Sequence, residues 1–274
     1  MKTLQKFASW ISRYASICTI LKPLSRVIYG SYRGMKNQYA TVRLPEDAQR
    51  ALRLFRALFI LSIAREDVFA RPMESYRSVD PQVVVEFDAS LFGGGVIVRQ
   101  VVGDRQEVVL GSASFSLKSL KFDDESAFQN TAEFIAAVIG LVVAARFCGY
   151  GTRIQFRGDS MSALAWLEKG QARSAWAFKV STVFTYICLE NRFHICQSQH
   201  ISAGRNTAAD FLSRHIEMPH GSLEVDALPL IQLIDPGIVI NTDQEYIEFW
   251  QLMRVNMDYL VNSVKSIPTM AYCT

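Results

Sequence analysis

The 274 residues are enough for one large domain or two small ones, and with half of them hydrophobic a sizeable core can be buried. The net charge is +3, and the longest uncharged apolar run, Phe134–Ala145, is too short for the roughly 20 residues that a bilayer span needs, so no membrane segment is expected. Five scattered cysteines (Cys18, Cys148, Cys188, Cys196, Cys273) form no C-x-x-C pair, and Cys188, His194 and Cys196 lack a fourth ligand at zinc-finger spacing. That pattern excludes a disulfide scaffold or zinc module and points to free thiols in an intracellular, reducing compartment, with cytoplasm and nucleus both open.

Charge is unevenly spread along the chain. From Met1 to Pro45 there are eight basic residues (Lys2, Lys6, Arg13, Lys22, Arg26, Arg33, Lys36, Arg43) and no Asp or Glu. From His215 to Met253 seven acids meet no Lys or Arg. A basic end suits a polyanionic partner such as nucleic acid, and equally a solvated helix face. Residues 1–24 also have the acid-free character of a targeting segment, although Arg13 interrupts the apolar stretch a secretory signal would need.

Residues 1–79 read as mostly helical, because Leu52, Leu54, Phe55, Leu58, Phe59 and Leu61 recur at near-helical spacing behind Asp47. Asp80-Pro81 marks a boundary. The period then changes. Residues 82–89, rich in Val and Phe, read as a strand, Val96–Val102 as a second and Glu107–Ser116 as a third. Gly93-Gly94-Gly95 gives a turn or a close backbone approach, and Gly103-Asp104 a turn. A helix over about 125–148 is apolar on nearly every face and should be central. A strand over Thr152–Arg157, helices over Ser160–Lys169 and Ala175–Glu190, a strand over Phe193–Gln199 and a helix over Thr207–His215 complete the order βββαβααβα. Strands joined through helices imply an α/β fold with a mixed five-stranded sheet flanked by helices. The expected parts are 1–79, 80–217, and a tail, 218–274, with an amphipathic helix on which Tyr246, Phe249, Trp250, Met253, Met257, Leu260 and Val264 repeat.

Four acids fall at informative places. Asp88 ends the apolar run Val83–Phe87, and Glu133 opens the most apolar segment of the chain, where a charge is costly unless paired or metal-bound. Asp159 follows a strand and precedes a helix, and Asp210 sits in the first turn of the last helix. Each alone has an ordinary explanation as a cap, a turn former, a dipole partner or a paired acid. Together they are expected at one edge of the sheet, where unneutralised carboxylates would repel and divalent cations such as Mg²⁺ would relieve the repulsion. Two ions about 3.5–4 Å apart are the usual clamp for in-line displacement at phosphorus.

The chain at this point resembles the RNase H domain of retroviruses and, more closely, of LTR and tyrosine-recombinase retrotransposons. Val83-Val84-Val85-Glu86-Phe87-Asp88-Ala89-Ser90 followed by Gly94 and Gly95 looks like the "DAS…G-x-G" opening. Thr131-Ala132-Glu133 with Ala136 and Ala137 looks like the helix carrying the family's glutamate, Asp159-Ser160 with Ala163-Leu164 matches "D-S-x-x-A-L", and Asn206–Arg214 matches "N-x-x-A-D-x-L-S-R". The resemblance covers about 135 residues, and the region before it looks like the thumb or connection of such reverse transcriptases. The paired-Asp polymerase motif is absent, so no polymerase activity is expected of this chain, while a polymerase domain of the same polyprotein is an expected partner.

The resemblance implies an RNase H-like fold and two-metal hydrolysis of the RNA strand of RNA–DNA hybrids, with Asp88, Glu133, Asp159 and Asp210 as catalytic metal ligands, two Mg²⁺ ions, and Mn²⁺ as a substitute. Ser90, Arg205 and Asn206 are candidate substrate contacts. His200 lies ten residues before Asp210, the spacing of a mobile histidine in many members, although the loop Ile201–Asn206 looks like the short retrotransposon version that often lacks it. The alternatives are a non-catalytic module, which the full set of four acids disfavours, and an integrase-like or exonuclease enzyme, which the ending Asn206–Arg214 disfavours. If the basic segment contacts phosphates, removing residues 1–45 should weaken hybrid binding and flatten its salt dependence; an unchanged slope in a salt titration would assign the segment another role.

Overall fold

The structure, a computed structural model, describes residues 2–33, 41, 43–64, 80–91, 93–103, 106–117, 125–169, 175–196, 198–214, 248 and 251. Three strands, β1 (Val83–Ala89), β2 (Gly93–Val102) and β3 (Gln106–Ser116), form the expected antiparallel meander. The turn between β2 and β3 begins at Gly103, whose φ of +53° suits a residue without Cβ. β4 (Arg153–Gly158) lies parallel to β1 on its other side, so β1 is interior to a sheet of order β3-β2-β1-β4-β5. An interior strand covered on both faces needs apolar residues throughout, which is why Val83, Val84, Val85 and Phe87 are all buried.

Helix α4 (Glu125–Phe147) covers one face of the sheet. Residues 131–144 are buried all round, as the lack of a polar face in the sequence requires. The helix comes so near the sheet that a Cβ on Gly140 would stand 2.3 Å from Val85 Cγ1. By length and composition the segment Phe128–Phe147 is apolar enough to cross a bilayer; here that surface is spent on the core, packed against the sheet, α5 (Met161–Lys169) and α6 (Ala175–Glu190).

The last strand departs from expectation. Instead of one strand over Phe193–Gln199 there are two short pieces, β5 (His194–Ile195) and β6 (Gln199–His200), both parallel to β4, so the sheet has six strands rather than five. The reason is local. Cys196 N–H still reaches Ile154 O at 2.8 Å, but Ser198 N–H is taken by Glu168 Oε1 on α5 at 2.6 Å, which draws the chain off the ladder until Gln199.

The 3-10 turn Ala203–Arg205 leads into α7 (Thr207–Arg214), which lies on the face of the sheet opposite α4, over β2 and β1. The glycines open β2 rather than forming a turn, and close approach is their use. Gly95 pairs with Asp88 across the strands, and a Cβ there would meet Ala209 O at 2.3 Å and Ser213 N at 2.6 Å.

The first part holds helices α1 (Lys2–Ile17), α2 (Lys22–Gly30) and α3 (Glu46–Ala64), and residues 65–79 lie outside the described residues. Ile11, Leu24, Ile28, Ala51, Leu54 and Phe55 are buried in one apolar cluster with the sheet. The 3-10 turn Thr19–Leu21 docks on α6, where Thr185 Oγ donates to Ile20 O at 2.9 Å. Truncation before residue 46 would therefore strip core residues along with charge. Neutralising the exposed Lys2, Lys6 and Arg13 is the cleaner form of the salt test. The tail and its amphipathic helix fall outside the described residues, apart from Glu248 and Gln251.

Gly95→Ala should force α7 away from β2. We expect a loss of about 1–3 kcal/mol in urea denaturation, the usual cost of overpacking. Gly149→Ala, where a Cβ meets nothing within 4 Å, should be silent.

Candidate active site

Where β1 and β4 end, the sheet brings two carboxylates to its edge and α4 adds a third. Asp88 is the last residue but one of β1, Asp159 follows Gly158 directly, and Glu133 lies on α4 beside the end of β1. One oxygen from each of Asp88, Glu133 and Asp159 lies within 4.8 Å of the others. Asp88 and Glu133 are buried, at 6% and 4% exposure, while Asp159 is half-buried. Capping does not account for Asp159, because the hydroxyl that receives Ala163 N–H at the start of α5 belongs to Ser160.

Among the described residues no ion pair is made by these three acids. Asp88 and Glu133 are held through uncharged groups. Ser213 Oγ donates to Asp88 Oδ2 at 2.6 Å, and Asn206 Nδ2 reaches Phe87 O at 3.0 Å and Asp88 Oδ1 at 3.5 Å. Gln129, one turn before Glu133, donates from Nε2 to Ala89 O at 2.7 Å and to Glu133 Oε1 at 3.1 Å, tying helix to strand end. Glu133 Oε2 is buried with no partner among the described residues. A few residues away on the same sheet the acids are treated differently. Arg157 bonds Glu86 at 2.9 Å and Glu107 at 2.8 Å, and Arg99 bonds Glu86 at 3.0 Å.

The electrostatics follow. The Glu133 carboxyl is raised to about 8, first by burial and then by the Asp88 and Asp159 carboxylates, while the hydrogen bonds from Gln129 and the Ala89 backbone oppose the rise. Burial likewise lifts Asp88 to about 6; Asp159 and Asp210 add to the rise, and the Ser213 hydroxyl and Arg214 oppose it.

The other sequence candidates are placed as follows. Asp210 is in the first turn of α7, outside the three-oxygen cluster, and its carboxylate is held by Arg214. Asn206 is 2% exposed, so its amide braces Asp88 from behind instead of standing where a substrate passes. Ser90 is half-buried, and its hydroxyl donates to Ser213 O at 2.8 Å, stapling the end of β1 to α7. Arg205 is exposed at the end of the 3-10 turn. His200 is exposed on β6, paired with Gly158, whose chain neighbour is Asp159. Gln129 and Ser213 were not singled out from sequence, nor was Arg214 as a partner of Asp210. The available signals were spacing alone: four residues before Glu133, and three and four after Asp210.

No family model and no curated protein matches the chain. Among solved structures it is similar to RNase H1 from the halophilic archaeon Halobacterium salinarum, with 22% identity, a TM-score of 0.37, and 47% of this chain and 92% of that one covered. It is similar also to the N-terminal RNase H domain of a Mycobacterium tuberculosis protein, at 18% identity and a TM-score of 0.38, covering 48% of this chain and 91% of that one. A third is LC11-RNase H1 in complex with an RNA/DNA hybrid, again 18% and 0.38, covering 47% and 92%. A likeness of that size leaves the site to be read from its own geometry. The order βββαβααββα, the central β1 and the helices on both faces give residues 83–214 the mixed sheet and flanking helices expected of an RNase H-like α/β fold.

Glu133→Gln supplies a test of the repulsion. The folded protein holds the Glu133 proton more tightly than the unfolded chain, so that contribution to stability is present below about pH 4.5 and lost as pH rises through about 8. In thermal melts with EDTA, Glu133→Gln should melt about 5 °C or more above the wild type at pH 8, with the gap closing toward pH 4.5. A variant that melts lower at pH 8 would make Glu133 a structural acid.

Proposed function

We propose that the chain is a metal-dependent ribonuclease H that hydrolyses the RNA strand of RNA–DNA hybrids, as the nuclease portion of a retroelement reverse transcriptase. The observation that carries this reading is the convergence of Asp88, Glu133 and Asp159, which among the described residues have no ion-pair partner and leave one buried oxygen, Glu133 Oε2, without a hydrogen bond. A buried, unsatisfied carboxylate oxygen beside two more carboxylates is costly unless a cation neutralises the set. Hard divalent ions fit the all-oxygen donors, Mg²⁺ above all, with Mn²⁺ as a substitute. Asp88, Glu133 and Asp159 would hold such an ion, and Asp210 would complete a two-ion set. When bound, these ions would neutralise charge at the scissile phosphate and lower the pKa of the attacking water.

The chain's own groups do the rest. Ser213 on Oδ2 and Asn206 on Oδ1 orient the Asp88 carboxylate, and Gln129 holds Glu133 by Oε1 and leaves Oε2 to a cation. This preorganisation saves reorientation during the reaction. Arg205 stands exposed for a phosphate contact, and His200 stays a candidate for moving a proton at the mouth of the site. Selectivity for RNA would come from 2′-hydroxyl contacts across the shallow groove, and backbone contacts would leave binding largely indifferent to sequence. The retroelement context rests on the motif Asn206–Arg214, and it makes a polymerase region of the same polyprotein the expected partner. An intracellular setting suits Cys18, Cys148, Cys188 and Cys196, none of which is in a disulfide among the described residues.

Purified protein with Mg²⁺ or Mn²⁺ should cleave the RNA of a hybrid, leaving 5′-phosphate and 3′-hydroxyl ends, and should spare duplex DNA. Asp88→Asn should lower the rate on the order of 10³-fold or more while hybrid binding persists. A wild-type protein that binds hybrid and cleaves none with either metal would instead make this a non-catalytic binding module.

A further inference from the structure

Asp210 differs from the other three candidate acids in having a cation of its own. Arg214, one turn further along α7, brings Nε to 2.7 Å and Nη2 to 2.6 Å from the same oxygen, Asp210 Oδ1. Both side chains stand at the surface, 64% exposed for Arg214 and 39% for Asp210. The remaining three acids meet within 4.8 Å without Asp210.

The ion pair is not what fixes the helix. α7 is held by Ser213 on Asp88, by Ser90 on the carbonyl of Ser213, by Asn206 on the carbonyl of Phe87, and by the packing of Ala209 against Gly95. Arg214 is therefore free to let go without the helix moving. An exposed pair of this kind is weak, a factor of a few in an equilibrium, and screened by salt. It is strong enough to bias a carboxylate and weak enough for a divalent ion to displace.

We propose that Arg214 is a positioning residue that competes with the second divalent ion for Asp210. On this reading, which rests on the nuclease reading above, the first ion enters the preformed set Asp88, Glu133 and Asp159. The second binds only as Asp210 leaves Arg214, so Arg214 sets how much weaker the second ion is than the first.

The test is a Mn²⁺ titration of the metal-free full chain without nucleic acid, followed by the electron paramagnetic resonance signal of unbound Mn²⁺. The wild type is compared with Arg214→Gln, Arg214→Lys and Asp210→Asn. Arg214→Gln should tighten the second ion about two- to fivefold and leave the first within about twofold, the range available to an exposed pair. Arg214→Lys, which keeps the charge, should resemble the wild type, and Asp210→Asn should lose the second ion. General electrostatic repulsion by Arg214 would shift both ions together, and that result overturns the proposal. An unchanged or weaker second ion in Arg214→Gln also overturns it, because Arg214 would then be idle or would orient Asp210 toward the metal. If every protein binds a single ion, the competition is refuted while the three-acid site survives. A wild type that binds no Mn²⁺ takes down the nuclease reading and this one with it.

Discussion

Three carboxylates brought within 4.8 Å of one another, two of them buried, repel strongly. At that separation each pair of ionised groups would cost a few kcal/mol even with the partial screening of a protein edge. The lift of Glu133 from its ordinary 4.5 to about 8 comes first from burial and then from the Asp88 and Asp159 carboxylates, so desolvation and repulsion both press on its charged form. A fold keeps such a cluster only where the surrounding structure holds it in place. Much of the architecture around residues 83–214 does that.

Among the described residues, cations pair with some acids of the sheet and not with others. Glu86 and Asp88 are two residues apart on β1 and so face the same side of the sheet. Glu86 receives Arg99 and Arg157, and Glu107 receives Arg157 as well. Asp88 receives a serine hydroxyl and an amide. Neutral donors orient a carboxylate without removing its charge, whereas a guanidinium would spend that charge on an ion pair. A strand that neutralises one acid and leaves the next charged, with only hydroxyl and amide support, keeps its capacity for a cation at the strand end.

The short helix α7 has a supporting role that its eight residues, of which Ala209 and Ser213 are buried, could not fill by apolar contact alone. It touches the sheet through a glycine on β2, which lets its backbone come close enough for Ser213 to reach Asp88. Ser90 and Asn206 add two links between the end of β1 and the segment around α7. The motif Asn206–Arg214 thus has a physical account: Asn206 and Ser213 grip β1 and Asp88, Ala209 is the small residue that fits over Gly95, and Arg214 attends to Asp210. Gln129 plays the corresponding part from α4.

Much of the fold was legible in the sequence because it depends on local periods. Consecutive β-branched residues with Gly103 behind them could only be a meander, and the apolar run after Glu133 could only be a central helix. The positions of Asp88 and Asp159 at strand ends followed from the same reading, since a strand end fixes where its side chains emerge, and Glu133 stood out as a charge at the start of an apolar helical run. What the tertiary structure decided were interactions between parts distant in sequence. The hydroxyl of Ser213 meets an acid 125 residues earlier, and Glu168 on α5 breaks the last strand by capturing Ser198 N–H. Asn206 turned inward because β1 offered it a carbonyl, and Asp210, outside the three-oxygen cluster, took Arg214 on its own helix as its partner. Periodicity specifies which face a residue occupies. Which of several polar partners it then takes depends on distances set only when helices and sheet have packed.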